Sequence, residues 1–303
     1  MKRILTSLAA LTLTVLLCAQ LAAPVYAEGM APVAENLELN TYRNVSVSGR
    51  LSAYDPDGDT LSYEICTDPV KGLLELSSDG SFTYTPGENK KGKDYFGYRA
   101  VDSRGNRSQE ATVIIKIQKQ RTAVGYSDME DAAGEYYAVA LSENGIYTGR
   151  KVCGEYCFGP EEQVSRGEFI SMCMMVAREP VFSSVLSTGY GDDESIPEWM
   201  KPYAATAAMC GIDSGICWGE ERVFSPNAPI SKSEAALILN RALGLNDVSY
   251  ISLDSGVERE TAQACANLSA SGILREGELI QESLSRVEAA ELLIKALDLV
   301  RSR

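Results

Sequence analysis

Histidine is missing from all 303 residues. Its absence removes the commonest general base, the Ser-His-Asp triad and most catalytic zinc sites. Positive charge is also scarce: the formal net charge is −14. Residues 28–121 carry 12 Lys+Arg against 14 Asp+Glu, whereas residues 122–303 carry 14 against 28. That imbalance argues against nucleic acid or an anionic membrane as partner. Long apolar runs are lacking after the first. Lys2 and Arg3 precede an apolar stretch from Leu8 to Cys18, and Val25-Tyr26-Ala27 has the small-residue pattern of a signal-peptidase site. Residues 1–27 are therefore expected to be a signal peptide, with Leu17 too large for a lipobox at Cys18. No later run approaches the roughly 18 apolar residues of a spanning helix, so an exported chain with no transmembrane segment is expected.

Seven cysteines follow that segment, an odd number: Cys66, Cys153, Cys157, Cys173, Cys210, Cys217 and Cys265. Short bridges within Cys153/Cys157 and Cys210/Cys217 and a set of free thiols both stay open. The spacings are irregular for zinc, and the imidazole ligand is unavailable.

What is present falls into two patterns. From Asn36 to about Lys119 apolar residues alternate, as in Val45-Ser46-Val47, Leu61 to Ile65, Leu74 to Leu76, Phe82 to Tyr84, Tyr95 to Val101 and Ala111 to Ile117. Turn clusters separate them at 55–59, 78–80, 86–87 and 103–106. About seven short strands at this spacing predict an all-β Ig-like sandwich over residues 32–119. Asp55, Asp57 and Asp59 alternate in one loop, which Asp102 could approach; an oxygen-only cluster suits Ca²⁺. A solvated acidic turn is the alternative, since Asp and Gly favour turns anyway.

The second pattern is a phrase written three times: Val164-Ser165-Arg166-Gly167-Glu168, Ile230-Ser231-Lys232-Ser233-Glu234 and Leu284-Ser285-Arg286-Val287-Glu288. Ser-x-x-Glu before an apolar-periodic run is a capping box, so Ser165/Glu168, Ser231/Glu234 and Ser285/Glu288 should start helices. The cation at N1 faces the positive end of the helix dipole. Three such placements suggest that something negative comes to meet Arg166, Lys232 and Arg286. Upstream, Gly145-Ile146, Gly211-Ile212 and Gly272-Ile273 each close an Ala-rich run, glycine being the residue that ends a helix in the left-handed conformation. Phe158-Gly159-Pro160 and Phe224-Ser225-Pro226 occupy equivalent places, and Tyr126-Ser127-Asp128 and Tyr190-Gly191-Asp192 open the first two units. One helix-loop-helix unit cannot bury its own apolar stripe, so three should pack together.

Asp55-Pro56-Asp57-Gly58-Asp59, Asp79-Gly80-Ser81-Phe82-Thr83-Tyr84-Thr85-Pro86 and Asp94-Tyr95-Phe96-Gly97-Tyr98 resemble the bacterial Ig-like and cadherin-like modules, some of which bind calcium. The second half, with repeats at 125–180, 189–245 and 250–300, resembles a tandem of three S-layer homology repeats. That resemblance implies an all-α pseudo-threefold bundle anchoring the protein non-covalently to the cell envelope. It implies a secondary cell-wall polymer, often pyruvylated, as ligand, and carries polymer binding onto Arg166, Lys232, Arg286, Trp199, Asp128 and Asp192. Departures are Lys232 in place of arginine, Ala133 and Glu260 where the family has tryptophan, and a third unit without Phe-x-Pro. The two halves are expected to be separately stable, with a boundary near Lys119–Gly125. A calcium-dependent adhesin is the alternative function. A glycosidase would need no histidine, but no carboxylate pair stands out, and no catalysis is expected.

Overall fold

The computed structural model describes residues 29–129, 134–249, 258–274 and 282–303. Residues 1–28, where a signal peptide is expected, Ala133 and parts of the expected third repeat lie outside them. Nine strands build the first half: β1 Val33–Ala34, β2 Leu37–Tyr42, β3 Val47–Arg50, β4 Ala53–Tyr54, β5 Leu61–Thr67, β6 Gly72–Leu76, β7 Ser81–Pro86, β8 Gly92–Asp102 and β9 Ala111–Gln118. One sheet has the order β2-β9-β8-β5 and a second β3-β7-β6, with β1-β4 as a short pair. The alternation read from the sequence points inward, with Phe82, Tyr84, Phe96, Tyr98, Val113, Ile115 and Ile117 buried together. Along β9, Ala111, Val113, Ile115 and Ile117 are buried while Thr112, Ile114 and Lys116 are not, as a strand with one covered face requires.

Two tyrosines tie the sandwich edges. The Tyr98 hydroxyl donates to Glu35 O at 2.6 Å and Ser52 O at 2.7 Å, closing β1 and β4 onto the sheet. The Tyr84 hydroxyl donates to buried Asp94 at 2.8 Å, and Asp94 also accepts from the amides of Val70 and Lys71. Burial and the Asp94 charge both push the Tyr84 phenol up. β2 runs parallel to β9 and had no counterpart among the strands read from the sequence.

Six helices follow among the described residues: α1 Glu135–Glu143, α2 Arg166–Ala177, α3 Lys201–Met209, α4 Lys232–Leu243, α5 Arg259–Ala270 and α6 Arg286–Ser302. α2 packs against α3, α4 and α6, α1 against α6, and α5 against α4. All three serines cap as expected: Ser165, Ser231 and Ser285 accept from the amides of Glu168, Glu234 and Glu288. After α1, α3 and α5, Gly145, Gly211 and Gly272 have φ near +70°. The next amide then reaches back five residues, from Ile146, Ile212 and Ile273 to Leu141, Ala207 and Leu268, a Schellman closure.

The expectation of an all-α pseudo-threefold bundle is overturned, because the second half is mixed. β10 Arg150–Val152 pairs with β11 Glu155–Cys157, and β12 Ile216–Trp218 with β13 Glu221–Val223. The 20-residue connections from glycine to capping serine in the first two units are long enough to fold into hairpins. In the first, Cys153 and Gly154 form a two-residue loop at φ 54° and 95°, which matches the twist of a tight hairpin. The register puts Cys157 opposite Arg150 and Cys217 opposite Arg222, with Cys153 in the turn. The seven cysteines among the described residues all carry free thiols.

Candidate functional site

The apolar residues before the three capping serines meet in a closed ring. Val164 N–H donates to Leu284 O, Leu284 N–H to Ile230 O, and Ile230 N–H to Val164 O, at 2.9–3.0 Å. All three side chains are buried. This ring fixes each helix start against the next unit. The N1 and N2 amides of α2 donate to Ala228 O and Pro226 O, and those of α6 to Glu162 O and Pro160 O. The positive helix ends are thus covered by carbonyls of the neighbouring Phe-x-Pro loops. Gly167 permits this closeness, since a Cβ there would lie 2.3 Å from the Met200 sulfur and 3.1 Å from Pro226 O.

The three cations follow the same path. Arg166 Nε donates to Phe224 O at 2.9 Å and Nη2 to Asp213 at 3.1 Å, while Nη1 pairs with Glu234. Asp213 takes a second bond from the Tyr190 hydroxyl at 2.9 Å. Arg286 Nη1 donates to Phe158 O at 2.9 Å and Glu162 at 2.7 Å, and its guanidinium lies over the Tyr147 ring at 5.4 Å. Lys232 Nζ pairs with Glu288 at 2.6 Å. Unit one therefore reaches into unit two, two into three, and three into one. The negative groups that meet the N1 cations here are the protein's own.

This network accounts for the caps and the charges. Glu168 and Glu288 complete their capping boxes. Glu234 lends its amide to Ser231 while its carboxylate goes to Arg166. The Arg286 bond, helped by the Arg286 and Arg150 charges, holds the Glu162 carboxyl below the usual carboxylate range against a desolvation that would raise it. Burial would raise the Glu288 carboxyl, but Lys232 and Ser285 outweigh it and lower it.

Asp128 and Asp192 set the loops that the arginines grip. Asp128 accepts from the amides of Phe158 and Gly159 at 2.8 and 2.7 Å, and Asp192 from those of Phe224 and Ser225, both at 2.7 Å. The two phenylalanines are fully buried, each contributing about 1.5–3 kcal/mol by leaving water. Exposure separates the residues that the resemblance marks for ligand contact. The side chain is 1% exposed at Arg166, 8% at Arg286 and 17% at Lys232, whereas Trp199 is 58% exposed. Asp213, Tyr190, Tyr147 and Glu162 were missed. A signal existed in the residue after the Gly-Ile pair: Asp213 and Tyr147 hold this place in units two and one, and each faces the arginine of another unit.

In the sandwich, carboxylate oxygens of Asp55, Asp57 and Asp59 lie within 4.8 Å of one another. One oxygen of Asp55 is buried without a hydrogen bond, and together with the neighbouring carboxylates it fits a hard cation. Arg104 competes, standing 3.1 Å from Asp59. Asp102 is not drawn into this cluster: it accepts from Arg104 N, Asn106 N and Asn106 Nδ2 of its own turn. Those bonds outweigh desolvation and lower its pKa.

Residues 29–119 match the bacterial cadherin-like domain. Over 141 residues, 46% of this chain, the sequence is 26% identical to the surface-layer 125 kDa protein of Lysinibacillus sphaericus. Over 131 residues, 42% of this chain, it is 28% identical to the exoglucanase XynX of Acetivibrio thermocellus. These stretches span 12% and 11% of those proteins. Among solved structures, the SrpA adhesin of Streptococcus sanguinis gives a TM-score of 0.27 at 17% identity, over 34% of this chain and 64% of that one. An endo-fucoidan hydrolase of glycoside hydrolase family 107 gives 0.26 at 18%, over 31% and 14%. Neither structural likeness bears on function.

Proposed function

We propose that the chain acts at the bacterial cell surface, where its second half holds a secondary cell-wall polymer non-covalently and its cadherin-like module is presented. The observation that carries this reading is the similarity to a surface-layer protein over 141 residues. That stretch is longer than the cadherin-like module at residues 29–119 and so reaches outside it. No step of catalysis belongs to this reading. The buried cations Arg166 and Arg286 build the frame. Direct polymer contact falls to the more exposed side chains, Lys232 and Trp199, with Trp199 offering a face on which a sugar ring can stack. The strongly acidic balance of this half makes such binding short-ranged rather than steered.

The test is co-sedimentation of the purified protein with cell walls before and after acid stripping of the secondary polymer. Binding that depends on the polymer and falls in Trp199→Ala and Lys232→Gln is expected, with at most the small stability loss of the broken Lys232–Glu288 pair. Equal sedimentation with stripped and unstripped walls would overturn the proposal. A second reading, an adhesive module ordered by Ca²⁺, is favoured by the buried Asp55 oxygen that has no hydrogen bond, beside the clustered Asp57 and Asp59 carboxylates. Asp55, Asp57 and Asp59 would hold the ion, which would supply positive charge to cross-link their loop.

A further inference from the structure

The segment joining the two halves carries no secondary structure, yet it is not free. Glu143 is the last residue of α1, where the unpaired carbonyls of the helix end oppose a negative charge. Its side chain is also only 3% exposed. A buried carboxylate in that position needs donors, and two residues of the joining segment, Arg121 and Thr122, supply them. Arg121 N–H donates to both oxygens at 2.9 and 2.8 Å, and Thr122 N–H to one at 2.8 Å. The Thr122 hydroxyl donates to the same oxygen, and Arg121 Nη2 returns to the Glu143 carbonyl at 2.7 Å.

A separate contact lies beside this strap. The turn between β2 and β3 carries Val45, which is buried in the core of the helical half rather than in that of the sandwich. Tyr42 stacks on Tyr136 of α1 with ring centroids 5.9 Å apart. Ser46 donates to Glu135 through its amide at 3.4 Å and its hydroxyl at 3.3 Å.

From these contacts we propose that Glu143 is a latch that holds the cadherin-like module at one orientation on the helical half. The strap from Lys119 to Val124 is then a fixed part of the body, and the module does not swivel about it. This goes beyond anchoring, since it sets which face of the module points away from whatever the other half grips.

Lys119 and Arg121 make the strap a trypsin target, so limited proteolysis of the full chain reads the latch directly. Cleavage of a folded segment tracks the population of its open form. Wild type is expected to resist at Lys119 and Arg121, and Glu143→Ala to be cut there at least about tenfold faster, the change that about 1.4 kcal/mol represents. Its helical circular dichroism should be retained, and small-angle scattering should broaden toward two independently oriented bodies. If Glu143→Ala does not fold, Glu143→Gln, which keeps the size and one acceptor oxygen, takes its place with the same expectation. Wild type cut at Lys119 and Arg121 as fast as the variant, or scattering that already shows two freely oriented bodies, would overturn the proposal.

Discussion

Replacing Arg166 with glutamine separates two accounts of a cation at a helix start. Were the charge simply misplaced on the dipole, its removal would gain a few tenths of a kcal/mol. The structure requires the opposite sign. Arg166 is buried, and glutamine would abandon Phe224 O, Asp213 and Glu234 together. Asp213, itself buried, would keep only the Tyr190 hydroxyl. Removing one partner of a buried ion pair costs about 3–5 kcal/mol, because the other charge is left uncompensated. At about 2–4 °C per kcal/mol for a unit of this size, the helical half should melt about 6–20 °C lower.

Thermal melting by circular dichroism at neutral pH is the assay. Arg166→Lys, which keeps the charge but loses the planar fork, should fall between wild type and Arg166→Gln. Combining Arg166→Met with Asp213→Asn removes the orphaned charge and should recover part of the loss, with a coupling on the order of 0.5–3 kcal/mol. Arg166→Gln melting at or above wild type would refute the reasoning. A consequence for binding experiments follows: loss of wall binding in Arg166→Gln is to be read as loss of the frame, not of a ligand contact.

The remaining expectations are smaller. Lys232→Ala breaks a partly exposed pair with Glu288 and should cost about 1 kcal/mol or less, so a Tm drop as large as that of Arg166→Gln would contradict the exposure ranking. Because the Glu288 and Glu162 carboxyls are lowered in the folded chain, the stability they contribute should be intact above the ordinary carboxylate pKa of about 4.3 and decline as pH falls below it; a melting temperature flat from pH 6 to pH 3, chosen to span about that value, would count against those pairs. Ca²⁺ at about a hundredfold above its Kd should stabilise the module by about 2.7 kcal/mol, and Asp55→Asn should abolish the gain; identical melting in calcium and chelator returns the loop to a plain turn. Cys173 is buried, with its thiol pushed up to about 12, and should resist alkylation in the native state while exposed Cys66, Cys153, Cys210 and Cys217 react. Mass spectrometry after brief alkylation distinguishes them, and early labelling of Cys173 would contradict its burial.

How much of this was legible in the sequence depends on how far each partner lies along the chain. The capping serines and their glutamates are three residues apart, and the closing glycines act on the turn just before them, so both could be read directly. The alternation of β9 needs only its own eight residues. The two hairpins of the helical half escaped because each strand has three residues and most of these are exposed, which leaves no apolar period to see. β2 escaped because its burial does not alternate cleanly, polar Thr41 being its one buried residue. The N1 cations are the instructive case. Their position on their own helix was evident, and so was the need for something negative. What a single helix cannot show is that the next unit already brings its carbonyls to the helix start and its carboxylates to the cation. Asp213 is 47 residues from Arg166, and only superposing the three copies would have placed it opposite. A charge that looks unmet along the chain therefore argues for a ligand only after the other copies of the same repeat have been tried as its partner.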